Sequence, residues 1–358
     1  MVTLDQKRAE QFAETFMGTL NAGAICLMTS IGHRTGLFDT LAAMDDGGTC
    51  AEIAGRAGLN ERYVREWLGA MVTGDIIEYN PVTGAYSLPP EHAAFLTREA
   101  TPDNMAVFAQ YIPLLGSVED DIVECFQHGG GVPYSRYPRF HQVMAEDSGQ
   151  TVLSSIFEHI LPLAPGLTDR LREGLRVLDV GCGSGRAINQ MAAEFPNSSF
   201  WGYDLSDEAI QSARKEAQSK NLINVFFEPR DLSSFDDETG EVQFDLITAF
   251  DAIHDQAQPR ALLKGIARAL KPDGVFLMQD IHGSSHVHNN KEHPIGPFLY
   301  TISCLHCMTV SLAQGGEGLG AMWGREKAQE LLHEAGFGQI DIHTLKHDIQ
   351  NDYYIIRK

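Results

Sequence analysis

The sequence predicts an α/β chain: a doubly wound, mostly parallel sheet in the second half, preceded by a smaller, mostly helical domain. The first observation behind this is Arg176-Val-Leu-Asp-Val-Gly-Cys-Gly-Ser-Gly185, a short apolar run leading into glycines. A strand covered on both faces requires such a run, and the glycines permit a sharp turn and the close approach of a ligand. The second is the helical spacing of Ile188, Met191, Ala192 and Phe195 ahead of Pro196, which completes a strand, glycine turn, helix unit. The third is the continuation of that pattern, with apolar strands expected at Ser199–Tyr203, Asn224–Phe227, Phe244–Phe250 and Val275–Asp280.

With 358 residues the chain exceeds the usual single-domain size, and 43% hydrophobic residues suffice for a full core. The expected division is 1–100 for the helical domain, 101–174 for a helical linker and lid, and 175–358 for the sheet domain, with an insertion at about 281–323. A net charge of -21 argues against general affinity for nucleic acid or anionic membranes, because phosphate binding needs clustered Lys and Arg. Met1 to Phe16 is charged and amphipathic and lacks a signal-peptide pattern, and no apolar run of about 18 residues is found, so no membrane span is expected. Six scattered cysteines, with Cys182 inside the glycine turn, read as reduced, which places the protein in the cytoplasm.

Residues 4–43 read as helices, with Phe12, Phe16 and Leu20 on one apolar face and Ala22 to Leu27 apolar nearly all round, suggesting burial between subunits or domains. Thr49 and Glu52 have capping-box spacing on a short helix that ends at Gly58. Asn60 caps the next helix, through Tyr63, Trp67, Leu68 and Met71, and a hairpin over Ile76–Leu88 follows. This is a helix-turn-helix with a wing. Its recognition helix carries Arg62 and Arg65 beside Glu61 and Glu66, and its wing has no Lys or Arg, which disfavours DNA binding and favours dimerisation and closure of the active site.

In the linker, Gly129-Gly-Gly131 begins a loop through Tyr134 and Tyr137 to Phe140, which has an aromatic underside. Two explanations stand side by side, a lid over the substrate or a surface linker with its aromatics tucked into the core.

The glycine turn is not a dinucleotide fingerprint, since the sixth position counted from Gly181 is Arg186, and it lacks the Gly-Lys-Ser/Thr ending of a phosphate loop. Asp179, two residues before Gly181, would repel a pyrophosphate and suits an ammonium group. Asp204 ends the second strand, where a carboxylate accepts both hydroxyls of a ribose. Asp231 follows the third strand and is placed to accept from an exocyclic amine.

V-L-D-V-G-C-G-S-G, then Y-D-L-S, then R-D-L, each at a strand end, resembles class I S-adenosylmethionine-dependent methyltransferases over roughly residues 150–358. The resemblance implies a Rossmann-like seven-stranded methyltransferase sheet and S-adenosyl-L-methionine as cofactor. It assigns Asp179 and Gly181 to the methionine end, Gly183 and Gly185 to the turn, Asp204 to the ribose, and Leu205, Asp231 and Leu232 to the adenine, with Phe250 also beside the cofactor. The alternative is a glycine turn that only packs helix on strand. With the N-terminal winged helix, the whole resembles small-molecule O-methyltransferases and a group of uncharacterised microbial and invertebrate methyltransferases, which implies a small-molecule acceptor, oxygen as the accepting atom and a homodimer. A regulator or protein-binding module that responds to the cofactor without turnover is the competing reading.

His254 and Asp255 follow the fourth strand, and ligands of doubly wound sheets lie at carboxyl ends. The pair resembles the His-Asp of O-methyltransferases of phenolic substrates, which implies His254 as base and Asp255 as its orienting partner; Gln256 stands where those enzymes usually have Trp. Either a catalytic or a packing role is open to His254. In the insertion, Pro297 to Ala313 has helical spacing that gives Tyr300, Cys304 and Cys307 a shared face, a candidate substrate surface. Cys304-x-x-Cys307 stands alone among irregularly spaced histidines, so no metal site is expected.

Overall fold

The computed structural model describes residues 4–238 and 243–358, which form two compact units dividing between Gly116 and Ser117. The stretch expected as a linker is shared between them, with 101–116 in the first unit and 117–174 in the second.

In the first unit, Asp5 caps the long helix Gln6–Thr35 by accepting from the Arg8 N–H, and Gly36 ends it at φ 72°. Helices Leu37–Ala42, Cys50–Ala57 and Glu61–Thr73 follow, then β1 (Glu78–Asn80) paired antiparallel with β2 (Ala85–Ser87). Both halves of the Thr49–Glu52 capping box form, and Asn60 caps its helix. Trp67 centres the core, its indole N–H donating to the Met28 carbonyl at 2.8 Å and its ring set edgewise to Phe38. On the helix Glu61–Thr73, Arg62 pairs with Glu66 and Arg65 with Glu61. Phe12, Phe16 and Leu20 on the first helix are exposed in the single chain.

The second unit is built on one seven-stranded sheet of β3 (Arg176–Val180), β4 (Ser199–Asp204), β5 (Val225–Pro229), β6 (Phe244–Phe250), β7 (Leu270–Ile281), β8 (Gln339–Leu345) and β9 (Asp348–Arg357). The order is β5-β4-β3-β6-β7-β9-β8, with β3 to β7 parallel and the β8–β9 hairpin antiparallel at one end. Alternate residues feed opposite core layers. Val177, Leu246 and Leu277 pack into one, Leu178, Ile247 and Phe276 into the other, which is why these strands read as continuous apolar runs.

Two features differ from expectation. The insertion helix is interrupted: Gly296–Ile302 and Met308–Ala313 flank a π-turn at Ser303–Cys307, and wider turns also follow the helix Phe140–Ser148, at Gly149–Leu153 and Ile156–Ile160. Spacing alone does not register the one extra residue that such a turn absorbs. Secondly, Gln6–Thr35 and Gly296–Ala313 are each long and apolar enough to cross a membrane by length and composition, because small and hydroxyl residues interleave with apolar ones where no unbroken run exists.

Candidate functional site

The glycine turn is tied to the neighbouring strand by its own backbone. The N–H groups of Gly181 and Cys182 both donate to the Tyr203 carbonyl, at 2.9 and 3.0 Å. Gly181 has φ 69°, and a Cβ on it would lie 2.5 Å from that of Ala252, so only glycine fits. A Cβ on Gly183 would meet nothing, which leaves open space above the turn.

Asp204 locks this arrangement. Its Oδ2 accepts from the Gly183 N–H and its Oδ1 from the Ser206 N–H, each at 2.8 Å, leaving further lone pairs for a diol. Asp179 is buried under the turn, where Oδ1 accepts from the Thr248 hydroxyl at 2.7 Å. Burial pushes its carboxyl up to about 7, against the pull of the Thr248 hydrogen bond and with a further push from Asp204. A cation placed beside so buried an acid would favour its charged form.

Around the same cradle Leu205 is left 54% exposed, a leucine free to cover an aromatic ring. Asp231 is exposed with Oδ1 accepting from the Ser233 N–H at 2.9 Å, Leu232 is buried in one core layer, and Phe250 is half-buried against the other. The Arg230 guanidinium lies over the Tyr203 ring, 4.8 Å from its centre, and stiffens the end of β4. These residues fit a cofactor with an ammonium, a ribose diol and a flat base: the buried acid, the open glycine turn and the bridging carboxylate each meet one part.

At the ends of β6 and β7 lies a second group. His254 is buried, and its Nδ1 stands 2.8 Å from Oδ1 of Asp280, the penultimate residue of β7. That oxygen also accepts from the Trp323 indole and the Ile281 N–H, each at 2.8 Å. The pairing expected from sequence order, His254 with Asp255, is therefore not the one formed. Asp255 turns instead to Tyr134, whose hydroxyl donates to its Oδ2 at 2.5 Å. Adjacent residues after a strand end point apart, whereas neighbouring parallel strands bring their ends together. Burial works against a charged imidazole, but the Asp280 carboxylate and the touching Cys307 thiol hold the His254 pKa well above its usual value.

The loop after Gly129 is docked in this structure. Gly131 packs so closely on the insertion that a Cβ would lie 2.1 Å from the Thr309 carbonyl oxygen, and the Val132 N–H donates to the Thr309 hydroxyl at 2.8 Å. Tyr137 is buried and donates to the Leu305 carbonyl at 2.5 Å. Phe140 stacks on His306 at 3.8 Å, with Tyr134 edgewise to the same imidazole. Burial, reinforced by His254 and His141, pushes His306 down to about 3, so it is neutral.

The π-turn carries Cys307 inward, where it is buried against His254, while Cys304 stays half-buried and Tyr300 accepts from Asn290 Nδ2 at 3.0 Å. Thus Cys307 meets His254 and Tyr134 meets Asp255 beyond the end of β6, Tyr137 is anchored to Leu305, and Tyr300 packs on the cluster of Ile281, Leu299 and Cys307. Sequence reasoning missed Asp280, Thr248 and His306. Asp280 carried a signal, being an acid at the carboxyl end of a parallel strand.

A methyltransferase domain model matches residues 171–350, and an Rv2258c-like winged HTH domain model matches residues 23–98. Among curated proteins, the ubiquinone biosynthesis O-methyltransferase of Neisseria meningitidis is 30% identical over 115 residues, which is 30% of this chain and 45% of that one. The fatty-acid O-methyltransferase of Mycolicibacterium smegmatis is 32% identical over 108 residues, 30% of this chain and 38% of its own length. The chain thus spans about half the length, or less, of the curated relatives it matches. Human N-acetylserotonin methyltransferase in complex with S-adenosylmethionine superposes with a TM-score of 0.70 at 16% identity, covering 100% of this chain and 99% of that one. Mitomycin 7-O-methyltransferase gives 0.69 at 16% identity, covering 99% and 100%. At such identities the likeness is one of fold. A domain model that takes in half of the chain, on a cradle of this shape, leads to one conclusion: the chain belongs to the methyltransferase family, whose cofactor is S-adenosylmethionine.

Proposed function

We propose that the protein transfers the methyl group of S-adenosylmethionine to an oxygen of a small molecule, with His254 receiving the proton of the acceptor hydroxyl. The observation that carries this reading is that a hydrogen-bonded His254–Asp280 pair ends the strands directly beside the glycine-turn cradle. When bound, the cofactor supplies an electrophilic methyl whose departure returns an electron pair to sulfur. Asp179 would hold the cofactor's methionine end and Asp204 its ribose, so the acceptor oxygen need only be aligned, which is worth about 7 to 11 kcal/mol in favourable cases. Asp280 holds Nδ1 of His254; because that carboxylate and Cys307 favour the charged imidazole, Nε2 takes the acceptor's proton only in the neutral form, at a pH above the raised pKa. Tyr134 and Tyr137, on the docked loop, and Tyr300, Cys304 and Cys307 on the insertion shape the acceptor side.

The relatives named above as acting on oxygen support the choice of accepting atom. The reading also includes a homodimer in the cytoplasm, supported by the exposed Phe12, Phe16 and Leu20, and no nucleic acid or membrane partner. Sedimentation of the full chain tests the dimer. For the chemistry, the test is His254→Ala assayed against a panel of hydroxylated small molecules: turnover should fall by about 10² to 10⁴-fold while calorimetry finds cofactor affinity nearly intact. Equal turnover would remove His254 from the reaction.

A further inference from the structure

Three strand ends bring unpaired oxygens together on one face of the sheet. Gln279 on β7 stands in register between Phe250 of β6 and Tyr353 of β9, and its backbone carbonyl accepts from the Asp251 N–H at 3.0 Å. Asn351 pairs with Ile281, two residues along from Gln279, so its side chain falls on the same face, which also carries Asp179 and Thr248. Gln279 and Asn351 are each 1% exposed, and neither Gln279 Oε1 nor Asn351 Oδ1 has a hydrogen-bond partner. Asp251 Oδ1 has none either, since His254 Nδ1 at 3.9 Å is too far to donate. Buried polar oxygens are normally satisfied, and all three of these are acceptors, so the group that completes them must bring donors. It must also bring positive charge. Asp147, Asp280 and Asp348 are buried nearby; burial pushes the Asp251 carboxyl well up, His254 pulls it down, and these three acids push it further.

We propose that Asp251, Gln279 and Asn351 receive an ammonium group carried by the methyl acceptor, which makes the substrate a small hydroxylated amine. An ammonium is a donor only, so it meets these oxygens without turning a lone pair toward them, as the hydroxyls of a polyol would. A carboxylate in the same place would be repelled. Phe250 and Tyr353, on either side of Gln279, are ring neighbours that suit a cation. The Asp251 side chain, 17% exposed, gives access from outside. Asp179 remains for the ammonium of the cofactor, so each of the two amines has its own acid. That the guest is the acceptor rests on the methyl-transfer reading; that it is an amine rests on the three oxygens.

The test is calorimetric titration of the full chain, saturated with S-adenosylhomocysteine, with tyramine and aminobutanol beside their amine-free counterparts, para-ethylphenol and butanol. At least one amine should bind about ten- to a hundredfold tighter than its counterpart, the worth of one charge-assisted hydrogen bond. Asp251→Asn should erase that preference; asparagine tolerates the left-handed backbone that Asp251 adopts at φ 56° while removing the charge. Gln279→Leu serves if that variant fails to melt cooperatively. No preference in either pair would overturn the proposal. So would a preference that survives in the folded variants, which would assign the amine to the acidic surface, or one seen only without S-adenosylhomocysteine, which would assign it to the cofactor's own ammonium. The readout needs no turnover, so its failure leaves the methyl-transfer reading standing, and the amine preference is measurable even where no methyl is transferred.

Discussion

If the proposed cofactor site is right, Asp179 sets the pH at which the cradle works. Its carboxyl, pushed up to about 7 by burial, is largely protonated below that pH in the free protein, and only the ionised form attracts an ammonium. Cofactor affinity should therefore be full above about pH 7 and weaken as pH falls, approaching about tenfold per unit for one linked proton. Calorimetry from pH 5.5 to 8.5 reads this, and Asp179→Asn should bind weakly with a flat profile; a sloping profile in that variant would assign the proton elsewhere. Asp204→Ala should lose about 1.5 to 3 kcal/mol for each charged hydrogen bond to the cofactor, and also frees the Gly183 N–H that holds the turn. These two acids were legible in the sequence because each lies in or beside its strand's own motif. Asp280 was not, since its partner His254 is 26 positions away and only the β6–β7 pairing brings them together.

At the scale of elements, the docked loop and the insertion test each other. Gly131→Ala drives a methyl into the backbone of Met308–Ala313, an overpacking that typically costs about 1 to 3 kcal/mol. The expected result is a lower melting temperature and new protease cleavage near 129–137; an unchanged digest would show that the loop is not held there. A second device anchors the helix Gly324–Glu334. Burial alone would raise Glu326, but hydrogen bonds from the Ser285 N–H and the Ser284 hydroxyl bring it down to about 2. A depressed carboxyl stabilises the fold above its unfolded value of 4.5 and loses that contribution as pH falls through about 2. Thermal melts should show Glu326→Gln less stable by a constant amount above about pH 4.5, with a flatter acid limb below it. The winged helix and the sheet strands were readable because caps, apolar runs and glycines act locally. The π-turn at Ser303–Cys307 was not, because a helix with one surplus residue keeps nearly the same spacing of apolar side chains.

Over the whole molecule, the parallel order of β3 to β7 points every carboxyl end to one edge, and each end carries an acid in or just beyond it: Asp179, Asp204, Asp231, Asp251 and Asp280. With a net charge of -21 behind them, the field at that edge is negative. S-adenosylmethionine carries one net positive charge, whereas S-adenosylhomocysteine carries none. Stopped-flow association of the first should slow steeply as salt rises, since screening sets in within about 10 Å at 0.1 M, and that of the second should hardly respond. Identical salt slopes for the two would show that the edge does no steering. In the proposed reaction the row of acids would thereby give turnover a direction. The pull that gathers in the reactant is extinguished by the reaction itself, so the spent cofactor has no long-range attraction to overcome on its way out, and fresh cofactor competes for the vacated place with an advantage that shrinks as salt rises.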